Sequence, residues 1–238
     1  MVYATGEIMK HDVIPDVVIR RLPVYVRTLR QMLTEQVTSA SSEELGLRVG
    51  VSAAQIRRDL SYFGRFGTQG KGYDIQQLEL AVTRILHLDR QWAAALVGFG
   101  HLGQAIAQYQ GFEQNSFRIS TIFARNPDHI GQQVNGVIVL DASAITEVVR
   151  EMGVRIGIIA VPAAAAQDVA DQLIAGGVRA ILNYAPVILR LPDNVWTREI
   201  DPTGALQSLT YYLDADRPTG RSPHPRLTGR ILDKAARA

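Results

Sequence analysis

Between residues 16 and 88 the apolar positions recur with the spacing of helices. Ile19, Leu22, Val26, Leu29 and Leu33 advance in alternating three- and four-residue steps, which puts them on one stripe of a helix. Pro23 stands inside that stripe. It has no amide to give to a preceding carbonyl, so a kink or a fresh helix start is expected there. Ile75, Leu78, Val82, Ile85 and Leu86 repeat the helical spacing over residues 75–88, a helix suited to connecting two halves of the chain. At Trp92 the pattern changes. Residues 93–97 form a continuous apolar run, as in a buried parallel strand. Strand-like segments at 118–123, 136–140, 155–161 and 178–184 then alternate with helical ones at 104–109, 143–152 and 163–175. That alternation predicts an α/β unit built on a doubly wound parallel sheet.

Two helix starts lie close together in the first half. Ser41 with Glu44, and Ser52 with Gln55, both read as capping boxes, in which a hydroxyl caps the third amide and an acid or amide side chain reaches back. The spacing predicts a helix of about seven residues, a tight turn over 46–51, and a second helix from Ala53. Ile56 and Leu60 of that second helix suit a core, and Gln55, Arg57 and Arg58 suit its outer face. Residues 64–73, with four glycines, Arg65 and Lys71, read as a hairpin loop. Together these predict a winged helix-turn-helix, whose second helix enters the major groove of duplex DNA. The candidate contacts are Ser52, Gln55, Arg57, Arg58, Arg65 and Lys71. Tyr62 is a further candidate, although it and Phe63 suit packing under the wing better than stacking on bases. The same fold also serves as a plain packing module, and paired arginines often coat a solvated face.

The run at 93–97 leads directly into Gly98, Phe99, Gly100, His101, Leu102 and Gly103, and then into a helix. G-x-G-x-x-G is a weak signal alone and a fairly strong one between a strand and a helix. Gly98 permits the turn, Gly100 lets a pyrophosphate approach the backbone, and Gly103 lets helix and strand pack closely. Ligands of such sheets lie beyond the carboxyl ends of the strands. This gathers Ala124 and Arg125, Val161 and Pro162, and Asn183, Tyr184, Ala185 and Pro186 around the glycine turn as candidate cofactor contacts. An NAD-binding unit ends its second strand in Asp or Glu, which holds the ribose 2′-hydroxyl. Here that place reads Phe123-Ala124-Arg125-Asn126. A small residue followed by arginine suits a 2′-phosphate, so NADP(H) stays open beside NAD(H); alternatively Asn126 or the backbone holds the ribose.

Charge changes the picture only at the end of the chain. The net charge is +2, but residues 217–238 hold six basic side chains against one acid, which leaves −3 on the rest. The basic isoelectric point belongs to that tail and does not itself argue for nucleic acid. Its prolines and glycines suit a flexible segment. With no cysteine there is no disulfide, thiolate metal site or cysteine nucleophile. No apolar run reaches the length of a membrane span, and no signal peptide is evident, so a cytoplasmic protein without membrane or metal partners is expected. None of the five histidines follows a later strand, where a proton donor beside a nicotinamide would stand. A sensor fits better than an enzyme.

These blocks resemble the Rex family of redox-sensing transcriptional repressors. The likeness covers roughly residues 15–214 and rests on residues 52–64, the wing to Tyr73, residues 97–103, 180–186 and 207–213. It implies a homodimer that binds operator DNA when NADH is scarce and releases it when NADH binds. It also implies a switch of Arg27, Tyr109 and Asp201, and a terminal helix over 203–213 exchanged between subunits. The domains expected on this basis are a DNA-binding domain at 1–88, a Rossmann domain at 89–202, a swapped helix at 203–214 and a basic tail at 215–238. Two positions depart from the family pattern. Ala124 stands where an acid holds the ribose, and Pro202 where an aromatic residue often covers the nicotinamide. A CoA-binding Rossmann domain shares the Val-Pro turn, and a small reductase fused to a helical module is a further alternative.

Overall fold

The computed structural model describes residues 14–67 and 72–213. The expectations for Lys71 and for the basic tail lie outside the described residues. The chain divides into two compact units, which part between Asp89 and Arg90.

The first unit is helical. Its elements are α1 (Asp16–Thr34), β1 (Ser39–Ala40), α2 (Ser42–Val49), α3 (Ala53–Ser61), β2 (Tyr73–Asp74) and α4 (Ile75–Ile85). α1 packs along α4, and α2 along α3. Of the stripe expected on α1, Leu22, Val26 and Leu29 are buried and Ile19 and Leu33 partly so. Met32, outside that stripe, is also fully enclosed, with Leu45, Ile56 and Ile75 from the other helices. Each such burial stabilises by about 1.5–3 kcal/mol, enough to carry α1 through Pro23. The fresh helix start expected at that proline does not occur, and α1 is one helix of 19 residues.

Two further expectations are corrected. α2 runs through Gly46 to Val49, and the left-handed residue that ends it is Gly50, at φ 86°. Gly46 serves a close approach instead, since a Cβ there would lie 2.7 Å from the Val51 carbonyl oxygen. The glycine-rich wing also shows no ladder across itself among the described residues. Its outgoing strand β2 pairs antiparallel with β1, Ser39 against Asp74 and Ala40 against Tyr73. Gly72, at φ 76°, has the Ala40 carbonyl so near that no side chain fits.

The second unit carries β3 (Trp92–Val97), α5 (His101–Ala107), β4 (Phe117–Ala124), β5 (Gln133–Val134), β6 (Val137–Asp141), α6 (Ile145–Glu151), β7 (Ile156–Ile159), α7 (Ala163–Gly176), β8 (Ala180–Asn183), β9 (Trp196–Glu199) and α8 (Pro202–Thr210). Its seven-stranded sheet has the order β5-β6-β4-β3-β7-β8-β9. All neighbours are parallel except the short pair β5 and β6. The parallel strands therefore read third, second, first, fourth, fifth, sixth, the order of the dinucleotide-binding Rossmann fold. Phe123, Val97 and Ile159 face α6 and α7 in one core, while Leu96, Ile122 and Ile158 pack toward Ile106 of α5 in the other. Burial on both faces explains why the strands read as apolar runs. β5 and β9 escaped the sequence reading because one is two residues long and the other, Trp-Thr-Arg-Glu, is a largely exposed edge.

Candidate DNA-binding and dinucleotide sites

In the first unit, Ser41 and Ser52 start α2 and α3. Each hydroxyl accepts a backbone amide, of Glu44 and Gln55 respectively, at 3.1 Å. The second half of each expected capping box is spent elsewhere. The Gln55 amide donates to Asp59 Oδ1 at 2.6 Å, and Glu44 stands 4.0 Å from Arg48. Asp59, which the sequence offers as one acid among the bases of α3, is wholly buried. It accepts Arg21 Nε and Nη2 at 2.5 and 2.7 Å and the Tyr25 hydroxyl at 2.5 Å. Burial alone would raise its pKa, but the bonds from Arg21, Tyr25 and Gln55 win and hold it below the ordinary carboxylate range. Burial, and then the bond to that carboxylate, push the Tyr25 phenol well above its usual value. The carboxylate thus ties α3 to α1, and Gln55 serves this clasp.

The outer face of α3 is basic. Arg57 is exposed, donating to Ser42 Oγ at 2.6 Å with Glu43 at 3.6 Å. Arg58 and Arg65 are exposed, and no described residue pairs with either. Tyr62 is half-buried, and Phe63 packs against the helical core. Ser52, Arg57, Arg58 and Arg65 are thus all exposed, whereas Gln55 is held inward.

The second unit builds its site at the switch point between β3 and β7. Gly98 turns at φ 102°, and a Cβ there would run into the Ala160 carbonyl and come within 2.9 Å of Val161 Cγ1. At Gly103 it would run into the Gly98 carbonyl, so the turn and α5 close on each other only because both are glycines. Gly100 differs. An added Cβ there meets nothing within 4 Å, which leaves its backbone open to a ligand. The first amides of α5 have no partner within the helix, and His101 and Leu102 are exposed beside them. Phe99, in contrast, is buried against α5, so only its backbone faces the turn.

Beside this turn lies a cavity of about 380 Å³ lined by Val97, Arg125, Val161, Pro162, Asp168 and other residues. Arg125, Val161 and Pro162 thus meet in one place, as expected. Ala124 is buried in the core on the α5 side, opposite Asp141 of β6. Asn126 spends its side chain on the Asp128 amide, at 3.1 Å. Asn183 is buried as well, donating to the Val187 carbonyl and accepting from the Ala185 amide, both at 2.9 Å, so it shapes its loop. Tyr184, Ala185 and Pro186 follow at the same sheet edge without lining this cavity. The Tyr184 phenol is pushed up by burial and by nearby Tyr109. His129 escaped the sequence reading. Its ring meets Phe99 edge-on at 5.5 Å, and its buried Nδ1 has no partner among the described residues. Those open groups fit a dinucleotide. No group of acids and histidines able to hold a metal occurs among the described residues, and no described helix is long and apolar enough to cross a membrane.

Two family models match the chain. One, described as a putative DNA-binding protein N-terminus, covers residues 13–61, and the other, a CoA binding domain, covers residues 89–187. The redox-sensing transcriptional repressor Rex of Roseiflexus sp. (strain RS-1) is 53% identical over 211 residues, covering 89% of this chain and 96% of that protein. The chain belongs to the Rex family. The Rex of Chloroflexus aggregans is 54% identical over 204 residues, 86% of this chain and 96% of that one. Among solved structures, a Rex-family repressor called RSP, in complex with β-NAD⁺ and operator DNA, superposes with a TM-score of 0.81. It is 39% identical over 84% of this chain and 93% of that one. RSP in complex with β-NADH superposes with a TM-score of 0.78 at 37% identity, over 84% of this chain and 94% of that one.

The three residues that the Rex resemblance assigns to the switch are all exposed. Arg27 lies on the outer face of α1 with no partner among the described residues. Tyr109 follows α5 and packs edge-on against Phe112, their ring centres 5.2 Å apart. Asp201 caps α8, its Oδ1 accepting the Gly204 amide at 3.0 Å, a role the sequence reading did not foresee.

Proposed function

We propose that the protein is a transcriptional repressor that reports the NADH/NAD⁺ balance, holding operator DNA when NADH is low and releasing it when NADH binds. It acts as a homodimer in the cytoplasm and catalyses no reaction. The observation that carries this is the pairing, in one chain, of an outward basic helix on a helix-turn-helix with an open glycine turn at a Rossmann switch point. The relatives in complex with operator DNA and with NADH support the same reading. On this reading residues 1–88 bind DNA, residues 89–202 bind the dinucleotide, residues 203–214 form a helix exchanged between subunits, and residues 215–238 form a basic tail.

The cofactor's pyrophosphate lies along the backbone of Gly98, Gly100, His101, Leu102 and Gly103, with Val161 and Pro162 across the switch point and residues 183–186 toward the nicotinamide. Operator contacts come from Ser52, Arg57, Arg58, Tyr62, Arg65 and Lys71, with Gln55 supporting α3. NADH and NAD⁺ differ by one charge at the nicotinamide, so discrimination resides in the pocket that receives that ring. The switch residues on this reading are Arg27, Tyr109 and Asp201. Arg125 favours a second reading in which a 2′-phosphate is accepted and NADPH also acts.

Fluorescence anisotropy of a labelled operator with NADH, NAD⁺, NADPH and CoA tests this directly. Release by NADH with retention under NAD⁺ is expected. Equal DNA affinity under all four ligands overturns the sensing assignment. If NADPH also releases DNA, Arg125→Ala is expected to remove that response and spare the response to NADH.

A further inference from the structure

We infer that the second unit carries an anion site at the end of its sheet opposite the glycine turn, built from Arg150, Arg155 and Arg179 to receive a phosphate-bearing small molecule. Arg155 and Arg179 stand just before β7 and β8, and Arg150 lies in the last turn of α6. β7 and β8 run parallel from these arginines toward the edge that bears the dinucleotide turn. The site is therefore at the opposite pole of the sheet from residues 98–103, and it does not depend on the function proposed above.

The three side chains line one cavity of about 270 Å³, with Gly153, Gly176 and Gly177 leaving its walls bare. Each guanidinium is held by carbonyls around the carboxyl end of α7. Arg150 Nη2 donates to Ala175 O at 3.1 Å, Arg155 Nη1 to Gly177 O at 3.0 Å, and Arg179 Nη1 to Val178 O at 2.8 Å. A cation at a helix carboxyl end is favourable by itself, by about 0.3–1 kcal/mol, and that accounts for one arginine. It does not account for three around one cavity, where like charges repel.

No carboxylate lies within 4.0 Å of any of the three among the described residues. A guanidinium has five N–H donors, and the carbonyl bonds occupy one nitrogen of each. The remaining donors form forks that match phosphate oxygens. The volume is below the roughly 300–1,000 Å³ of pockets that take drug-sized ligands, so the match is a phosphate or pyrophosphate group.

The test is calorimetric titration of pyrophosphate into the full chain, followed by the same titration into Arg155→Gln/Arg179→Gln. A saturable site that persists in Gly100→Ala, where the dinucleotide turn is blocked, is expected, and in that background the arginine double variant weakens it at least tenfold. Thermal melting reports whether the double variant folds. If it does not, Arg150→Lys/Arg155→Lys/Arg179→Lys carries the test: it keeps the charges, loses the forks, and is expected to bind several-fold more weakly. Three results overturn the proposal: no saturable binding, affinity unchanged in the arginine variants, or loss of affinity in Gly100→Ala alone. Binding of duplex DNA but not pyrophosphate by these arginines overturns it as well.

Discussion

Arg21 on α1 grips Asp59 on α3 through two nitrogens, at 2.5 and 2.7 Å, around a carboxylate with no solvent exposure. A buried acid is tolerable only when its partners replace water, and here Tyr25 and Gln55 complete the set. Asp59→Asn leaves Arg21 facing an amide, and removing one member of a buried pair costs about 3–5 kcal/mol. Urea unfolding is expected to register a loss of that order; a loss below about 1 kcal/mol, within the range of a surface pair, would sink the assignment. The pH dependence follows from the lowered pKa. The stabilisation is complete above the unfolded carboxyl's pKa near 3.9 and fades as pH falls through the lower folded value. Asp59→Asn is therefore expected to flatten the acid limb of the stability profile and leave the neutral region parallel to wild type.

The glycines of the dinucleotide turn make separable predictions. Gly103→Ala drives a methyl into the Gly98 carbonyl and is expected to lower both stability and NADH affinity. Gly100→Ala meets nothing within 4 Å, so its melting temperature is expected to stay within a few degrees of wild type. If the pyrophosphate lies where proposed, the added methyl intrudes on it, and NADH affinity is expected to fall at least tenfold. Differential scanning fluorimetry alongside NADH titration checks both. Unchanged NADH binding by Gly100→Ala would remove the pyrophosphate from this turn.

Much of this was legible because local chemistry and tertiary packing agree. The apolar run ending in Gly98 gives strand and turn together, and the serines at 41 and 52 start their helices where the spacing puts them. What was not legible depends on contacts distant in sequence. Asp59 looks like a surface acid until Arg21, 38 residues earlier, is brought against it. Gly46 looks like a turn residue until α3 crosses α2. Pro23 reads as a helix breaker, but a hydrophobic stripe buried on either side of it outweighs one missing hydrogen bond. Asn183 sits at the correct edge of the sheet, yet its two local bonds give it to its own loop. His129 gave no signal beyond its place after a proline turn, because the edge-on contact of its ring with Phe99 follows from the path of the chain after β4.

Arg58 makes the DNA prediction. It is exposed on α3 and no described residue pairs with it, so its truncation leaves no internal contact broken. Arg58→Ala is expected to weaken operator binding by about 1–3 kcal/mol if it reads a base edge, or less and with a shallower salt dependence if it meets a phosphate. NADH affinity and melting temperature are expected to remain those of wild type. Parallel loss of operator binding and thermal stability would make Arg58 a structural residue instead.

The terminal helix supplies the last prediction. α8 has nine residues and buries none of them, leaving Leu206 and Leu209 65% and 56% exposed. An isolated helix of that length is marginal in water, and an apolar face of this kind gains stability by packing on a second chain. In a two-fold dimer the contact occurs twice, so one substitution acts at two places. Leu206→Glu/Leu209→Glu is therefore expected to convert a dimer to a monomer at micromolar concentration, as read by light scattering after size-exclusion chromatography. On the proposed homodimer, operator affinity is expected to fall with it, because a monomer presents one α3 where the dimer presents two. NADH binding to the isolated monomer would show that the Rossmann unit survives the change. A variant that stays dimeric removes α8 from the subunit interface.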